Sequence, residues 1–174
     1  SGAPVIVECE PNKRIEFITV GRLDPWRGFD LVIEAFAKVV KKNGNMHLTV
    51  IGKGADKERL TALITKLKLT DKVTMAGSVD MERYREYMRN CDVVVNASLK
   101  EGAVTVSFDS MAMGKPLICI DTTGYTRYFS PEYAEIIQRN DRKSTIQALA
   151  DSMVKLADAH TRYEMGKKAQ QAGN

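Results

Sequence analysis

An open α/β fold, with a parallel sheet of about six strands and helices on both of its faces, is what this sequence predicts. Three observations lead there. Short apolar runs rich in β-branched residues alternate with segments whose apolar residues recur at helical spacing. Those runs are apolar at nearly every position, which marks strands buried on both faces. The chain has 174 residues, 44% hydrophobic and 28% charged, enough for one domain with a substantial core.

The elements follow in order. Glu16–Gly21 reads as a buried strand ending in glycine, and Arg22–Gly28 as a loop. Phe29, Val32, Ile33, Phe36, Val39 and Val40 then share one helical face. Asn43, Gly44 and Asn45, residues that tolerate left-handed geometry, are expected to stop that helix. His47–Ile51 is a second strand, followed by a Gly52-Lys53-Gly54 turn and an amphipathic helix on Leu60, Leu63, Ile64 and Leu67. Val73–Ala76 is a third strand, Glu82–Asn90 a short helix, and Val93–Asn96 a fourth strand. A helix from about Val104 to Met113 ends at Gly114. Leu117–Asp121 and Ala134–Ile137 are the last two strands. Ile146, Leu149, Ala150, Met153, Leu156 and Ala157 mark a closing helix, with a further helical tail after His160. Residues 1–13 are expected to be a remnant and linker, Ser1-Gly2 reading as a cloning scar, and residues 14–174 the domain.

Composition removes several function classes. The three cysteines, Cys9, Cys91 and Cys119, form no CxxC pair, so neither a zinc site nor a disulfide framework is expected, and a reducing compartment is. With two histidines, His47 and His160, chemistry that needs a histidine pair is disfavoured. A formal charge of +4 suits an anionic small ligand and is too small to imply nucleic acid. No apolar run reaches the ~18 residues of a membrane span. A cytoplasmic location follows as the expectation. Cys91 and Cys119 read as core thiols, His47 as a packed strand residue, and the eight methionines as core filler.

In open parallel sheets a ligand sits beyond the carboxyl ends of the strands, so the loops there carry the candidate site. After the first strand, Arg22 and Arg27 flank a loop and are suited to grip phosphate oxygens, although loop arginines are commonly just solvated. The Gly52-x-Gly54 turn invites a dinucleotide reading, but Lys57 stands where a third small residue belongs, and a tight strand-to-helix turn explains it better. That missing glycine also argues against a nicotinamide-dependent oxidoreductase. Lys53 and Lys57 add positive field to the crevice. Glu101 and Asp109 bracket a helix start whose free N–H groups suit an anion, although a lone acidic pair there would simply complement the helix dipole.

Taken in order, these pieces resemble a known family. Gly21-Arg22-Leu23 with a basic residue before Gly28, the Gly-x-Gly turn, and then Ser98-x-x-Glu101-Gly102 leading through Asp109 to Met111-Ala112-x-Gly114-x-Pro116 are similar to the carboxyl-terminal domain of group 1 glycosyltransferases. The resemblance runs from about Arg14 to the end of the chain. It implies one Rossmann-like half of a retaining, two-domain GT-B enzyme, the half that binds a nucleotide-diphospho-sugar donor, UDP- or GDP-linked. By position it implies that Arg22 and Arg27 contact the donor diphosphate, Arg27 replacing the family's usual lysine. Glu101 takes the first place of the Glu-x7-Glu motif, associated with the transferred sugar, and Asp109 the second, associated with the ribose. Gly102, Ala103, Val104 and Thr105 match the turn and helix start at the phosphates, beside Gly21. Ser78 and Val79 lie in the loop matched to the nucleobase. Glu101, Arg22 and Arg27 are thus the candidate catalytic residues, with no metal or cofactor required.

The pattern departs from the family at three points: Asp109 in place of glutamate, Ala103-Val104 in place of Phe-Gly, and Arg127 in an acidic position. A second reading therefore stands beside the first, a non-catalytic nucleotide-binding or interaction module derived from the same fold. On the first reading the partners are the donor, an amino-terminal domain outside this chain and a polysaccharide, lipid or other acceptor at the membrane's inner face. The domain alone would then bind donor and turn over little.

Overall fold

The computed structural model describes residues 13–98, 104–121 and 128–173. Six strands form one sheet in the order β3-β2-β1-β4-β5-β6: β1 (Ile15–Val20), β2 (Met46–Ile51), β3 (Val73–Gly77), β4 (Val93–Asn96), β5 (Leu117–Asp121) and β6 (Ala134–Gln138). All five pairings are parallel. The helices are α1 (Phe29–Val40), α2 (Lys57–Lys66), α3 (Met81–Asn90), α4 (Val104–Ala112), α5 (Arg142–Lys155) and α6 (Ala159–Gly173), with a 3-10 turn at Pro25–Arg27. This is the doubly wound order in which the strand sequence reverses at β1 and β4. It is the fold class the sequence predicts.

Strand side chains alternate between two cores, as a period of two requires. Phe17, Leu48, Val50, Val93, Val95, Ile118 and Ile120 pack with α1, α2 and α5. Ile18, Ile51, Val94, Leu117 and Cys119 face Met88 of α3, Met111 of α4 and Ala169 of α6. Helices therefore cover both faces. Phe17 and Phe36 are fully buried and meet edge-on at 6.1 Å. Burying one such ring stabilises the fold by roughly 1.5–3 kcal/mol.

Two local expectations are corrected, and one helix boundary is added. None of Asn43, Gly44 and Asn45 is left-handed. The end of α1 is closed instead by the Lys42 and Asn43 N–H groups donating to Val39, while the Asn45 N–H donates to the Asn43 side chain. Met81 is not core filler but is 60% exposed. The closing helix begins at Arg142, four residues before its first apolar marker, because Asp141 caps it by accepting the Ser144 N–H.

The second face of the sheet carries a polar row beneath α3. His47 bonds Glu16 Oε2 through Nδ1 and Thr74 Oγ1 through Nε2, both at 2.8 Å, which ties β1, β2 and β3 together. His47 is thus the packed strand residue expected of it. Buried Arg162 donates from Nη1 to the Leu156 and Ala157 carbonyls, satisfying the end of α5 and docking the start of α6.

Candidate functional site

The loops leaving β1, β2 and β3 are laced together by their backbones. Gly21 N–H donates to Ile51, Leu23 N–H to Lys53, Gly52 N–H to Gly77 and Asp56 N–H to Leu23. Gly52 has a φ of 137°, and a Cβ there would meet the Gly21 carbonyl oxygen at 1.8 Å. At Gly54 a Cβ would lie 2.6–2.8 Å from the Leu23 backbone. The Gly-x-Gly turn is therefore required by loop-on-loop packing, as the tight-turn reading holds. Gly28, left-handed at a φ of 80°, is pressed against Ala97 after β4 in the same way.

This lacing leaves a cleft of about 380 Å³ at the carboxyl ends of the inner strands. Gly21, Arg22 and Lys53 line one side, Ser78 and Val79 the floor after β3, and Thr105 and Asp109 the α4 side. Six residues singled out in the sequence (Gly21, Arg22, Ser78, Val79, Thr105 and Asp109) thus share one cavity, although they are spread over 89 positions from Gly21 to Asp109. Thr105 and Asp109 reach it together because residues four apart lie on one helical face.

Arg22 and Arg27 converge, but differently from one another. The Nε atoms of both lie near the same carboxylate oxygen, Asp24 Oδ2, at 3.7 and 3.6 Å. The Arg22 side chain is 67% exposed at the cleft. Arg27 is not among the cleft-lining residues and is 14% exposed. Its guanidinium lies 4.6 Å from the Trp26 ring centroid, and its aliphatic stem runs past Gly21. Arg27 Nε is buried with no hydrogen-bond partner among the described residues. A buried guanidinium N–H with an unmet bond, beside a cleft lined by Arg22 and Lys53 as well as by Asp80 and Asp109, suits an anionic ligand.

Asp109 is already engaged. Tyr84 Oη, from α3, donates to its Oδ2 at 2.7 Å. Burial and the adjacent carboxylate push the Tyr84 phenol above its ordinary 10, so it stays a donor. Val104 opens α4, as expected. Glu101, Gly102, Ala103, Cys9 and the Thr123–Arg127 segment with its Arg127 lie outside the described residues. Among the described residues no group of three or more His, Cys, Asp or Glu side chains is placed to hold a metal ion, and no helix is long and apolar enough to cross a membrane.

The family described as "Glycosyl transferases group 1" matches residues 7–172, nearly all of the chain. This chain belongs to the group 1 glycosyltransferases. Among curated relatives of this glycosyltransferase domain, the Campylobacter jejuni N-acetylgalactosamine-N,N'-diacetylbacillosaminyl-diphospho-undecaprenol 4-alpha-N-acetylgalactosaminyltransferase is 31% identical over 134 residues, covering 76% of this chain and 35% of that protein. The Streptococcus parasanguinis UDP-N-acetylglucosamine--peptide N-acetylglucosaminyltransferase GtfA subunit is 27% identical, covering 86% and 31%. The chain thus spans about a third of the length of the curated relatives it matches. In structure it superposes on the pneumococcal O-GlcNAc transferase GtfA, solved with UDP and GlcNAc, with a TM-score of 0.84 at 17% identity, covering 99% of this chain and 35% of that one. The C-terminal domain of the Francisella tularensis group 1 protein LpcC gives 0.79 at 20% identity, covering 92% and 84%. At such identities the likeness establishes the fold.

Sequence reasoning passed over Tyr84, which lines this glycosyltransferase domain's cleft, and Asp24, which lies beside both arginines. Tyr84 sits in a helix of polar composition where only its spacing from buried Met88 marks an inward face. Asp24 reads as a turn residue until both arginines are seen beside it. Lys53 was credited with positive field and does line the cleft, whereas Lys57 does not.

Proposed function

We propose that this chain is the donor-binding half of a retaining glycosyltransferase and takes a nucleotide-diphospho-sugar in the cleft beyond β1, β2 and β3. The observation that carries the reading is that cationic Arg22 and anionic Asp109 line one cavity of about 380 Å³. A nucleoside diphosphate has the matching polarity, with an anionic diphosphate to meet Arg22, Lys53 and Arg27 and a sugar whose hydroxyls donate to Asp109. Ser78 and Val79 are then the contacts for the base.

Sugar transfer breaks the bond between the anomeric carbon and the diphosphate oxygen, and negative charge gathers on the departing diphosphate. Fixed guanidinium groups and the N–H groups opening α4 stabilise that charge without reorganising. Glu101 is assigned to orienting the transferred sugar, and Gly102 and Ala103 to the turn at the phosphates. The acceptor site and any general base are assigned to a further domain, in keeping with relatives roughly two to three times as long. A UDP-linked donor is supported by the UDP-containing neighbour, and a lipid-linked acceptor by the diphospho-undecaprenol in the name of the Campylobacter relative.

A thermal-shift and calorimetry panel of UDP, GDP, ADP and their sugar conjugates tests the reading. A nucleotide at about 100 times its dissociation constant should stabilise the fold by about 2.7 kcal/mol. The absence of a shift with any of them at millimolar concentration overturns it. Glu101→Ala in the full-length enzyme should abolish transfer, and unchanged transfer would favour the non-catalytic module instead.

A further inference from the structure

Asp109 and Tyr84 hold a relationship that the donor reading alone does not require. The aspartate side chain is short, and from the middle of α4 it lines the cleft. Across the groove between α3 and α4, Tyr84 is half-buried and spends its hydroxyl on Oδ2 of that carboxylate. The other oxygen, Oδ1, accepts no hydrogen bond among the described residues. Hydrogen bonds to a charged acceptor are short and directional, so this one restricts the carboxylate's rotation. With one lone pair of Oδ2 taken, Oδ1 keeps both of its own and is the freer acceptor for a ligand.

We propose that Tyr84 is a positioning residue that locks Asp109 so that it reads one ribose hydroxyl of the nucleotide. The inference rests on the donor reading above. Tyr84 also lines the cleft, and its part lies in the hydroxyl that it spends on Asp109. It acts by making the orientation of Oδ1 a property of the empty protein, so that ordering this carboxylate is not left to the moment of binding. Arg85 and Met88 line the same α3–α4 groove next to Tyr84. Among the described residues neither donates a hydrogen bond to Asp109, and the phenol is thus the fixed contact from that side.

The test compares UDP and GDP with their 2′-deoxy and 3′-deoxy counterparts, by calorimetry, on the 174-residue chain and its Tyr84→Phe variant. The unmodified chain should bind one of the two deoxy analogues about 10-fold more weakly than the parent nucleotide, the scale of one charge-assisted hydrogen bond. In Tyr84→Phe that ratio should fall below about 3-fold, while the dissociation constant of the discriminated deoxy analogue stays unchanged. A merely structural role would weaken parent and analogue equally, and that result overturns the proposal. So does a ratio that Tyr84→Phe leaves intact, or an unmodified chain that binds nucleotide without distinguishing either hydroxyl. If the unmodified chain binds neither UDP nor GDP, the donor reading fails and takes this inference with it. Matching melting temperatures of the two proteins establish that the variant is folded.

Discussion

Gly52 faces the Gly21 carbonyl so closely that a Cβ at position 52 would stand 1.8 Å from that oxygen. The contact joins the ends of β1 and β2 and holds the cleft's Gly21–Arg22 edge in place. No rotation of a side chain relieves it, because both partners are backbone.

Gly52→Ala should therefore destabilise the domain by at least ~2 kcal/mol, through a forced shift of the loop and an unfavourable φ. Gly44→Ala is the control, since a Cβ there meets nothing within 4 Å. It should stay within about 0.5 kcal/mol of the parent. Urea denaturation of the three proteins checks both. Equal stabilities would mean that the two loops are not packed as described.

The two arginines near Asp24 should part company on substitution. Arg22→Ala removes a mostly exposed side chain and a loose ion pair, worth no more than about 1 kcal/mol of stability. It should nevertheless weaken UDP binding about 10-fold or more. Arg27→Ala should weaken binding and also lower the melting temperature, because its stem packs on Gly21 and its guanidinium on Trp26. Calorimetry with UDP and a thermal melt on each variant separate the two effects. An Arg22→Ala protein with unchanged affinity would remove that residue from the site.

Cys91 and Cys119 should resist alkylation in the folded protein. Burial pushes both thiols up to about 12, so almost no thiolate exists at neutral pH. Iodoacetamide at pH 8 followed by peptide mass spectrometry should leave both unlabelled, and labelling should appear together with unfolding in urea. Prompt labelling of either would contradict its buried placement.

Glu16 supplies an acid-sensitive contribution. Burial raises its carboxyl, but hydrogen bonds and charge from His47 and Arg14 outweigh that and hold it below the ordinary 4.5. A lowered carboxyl stabilises the fold above its unfolded value, and the benefit disappears as pH falls through the folded one. The melting-temperature gap between the parent and Glu16→Gln should thus be widest near neutrality and shrink below pH 4.5. A gap independent of pH between 7 and 3 would exclude the charge as its source.

Much of this was legible in one dimension. β4 and β5 fall on the residues that continuous apolar runs indicate, and α1 on its helical periodicity, because burial on both faces leaves a pattern that local spacing exposes. The cleft residues Gly21, Arg22, Thr105 and Asp109 were marked out by their place after strands and at a helix start. The end of α1 was misread at Asn43–Asn45, since left-handed tolerance is a permission that backbone hydrogen bonds there do not use.

The amino-acid sequence by itself determined the alternation of strands and helices, the family, and which loops carry charge, because these depend on neighbours a few residues apart. Only the tertiary structure decided that Arg22 and Arg27 share Asp24, that Arg27 lies beside the cleft and not in it, and that Tyr84 holds Asp109. Those are contacts between side chains brought together by the sheet and its crossover helices, and whether two such groups meet depends on packing distances that no local pattern encodes.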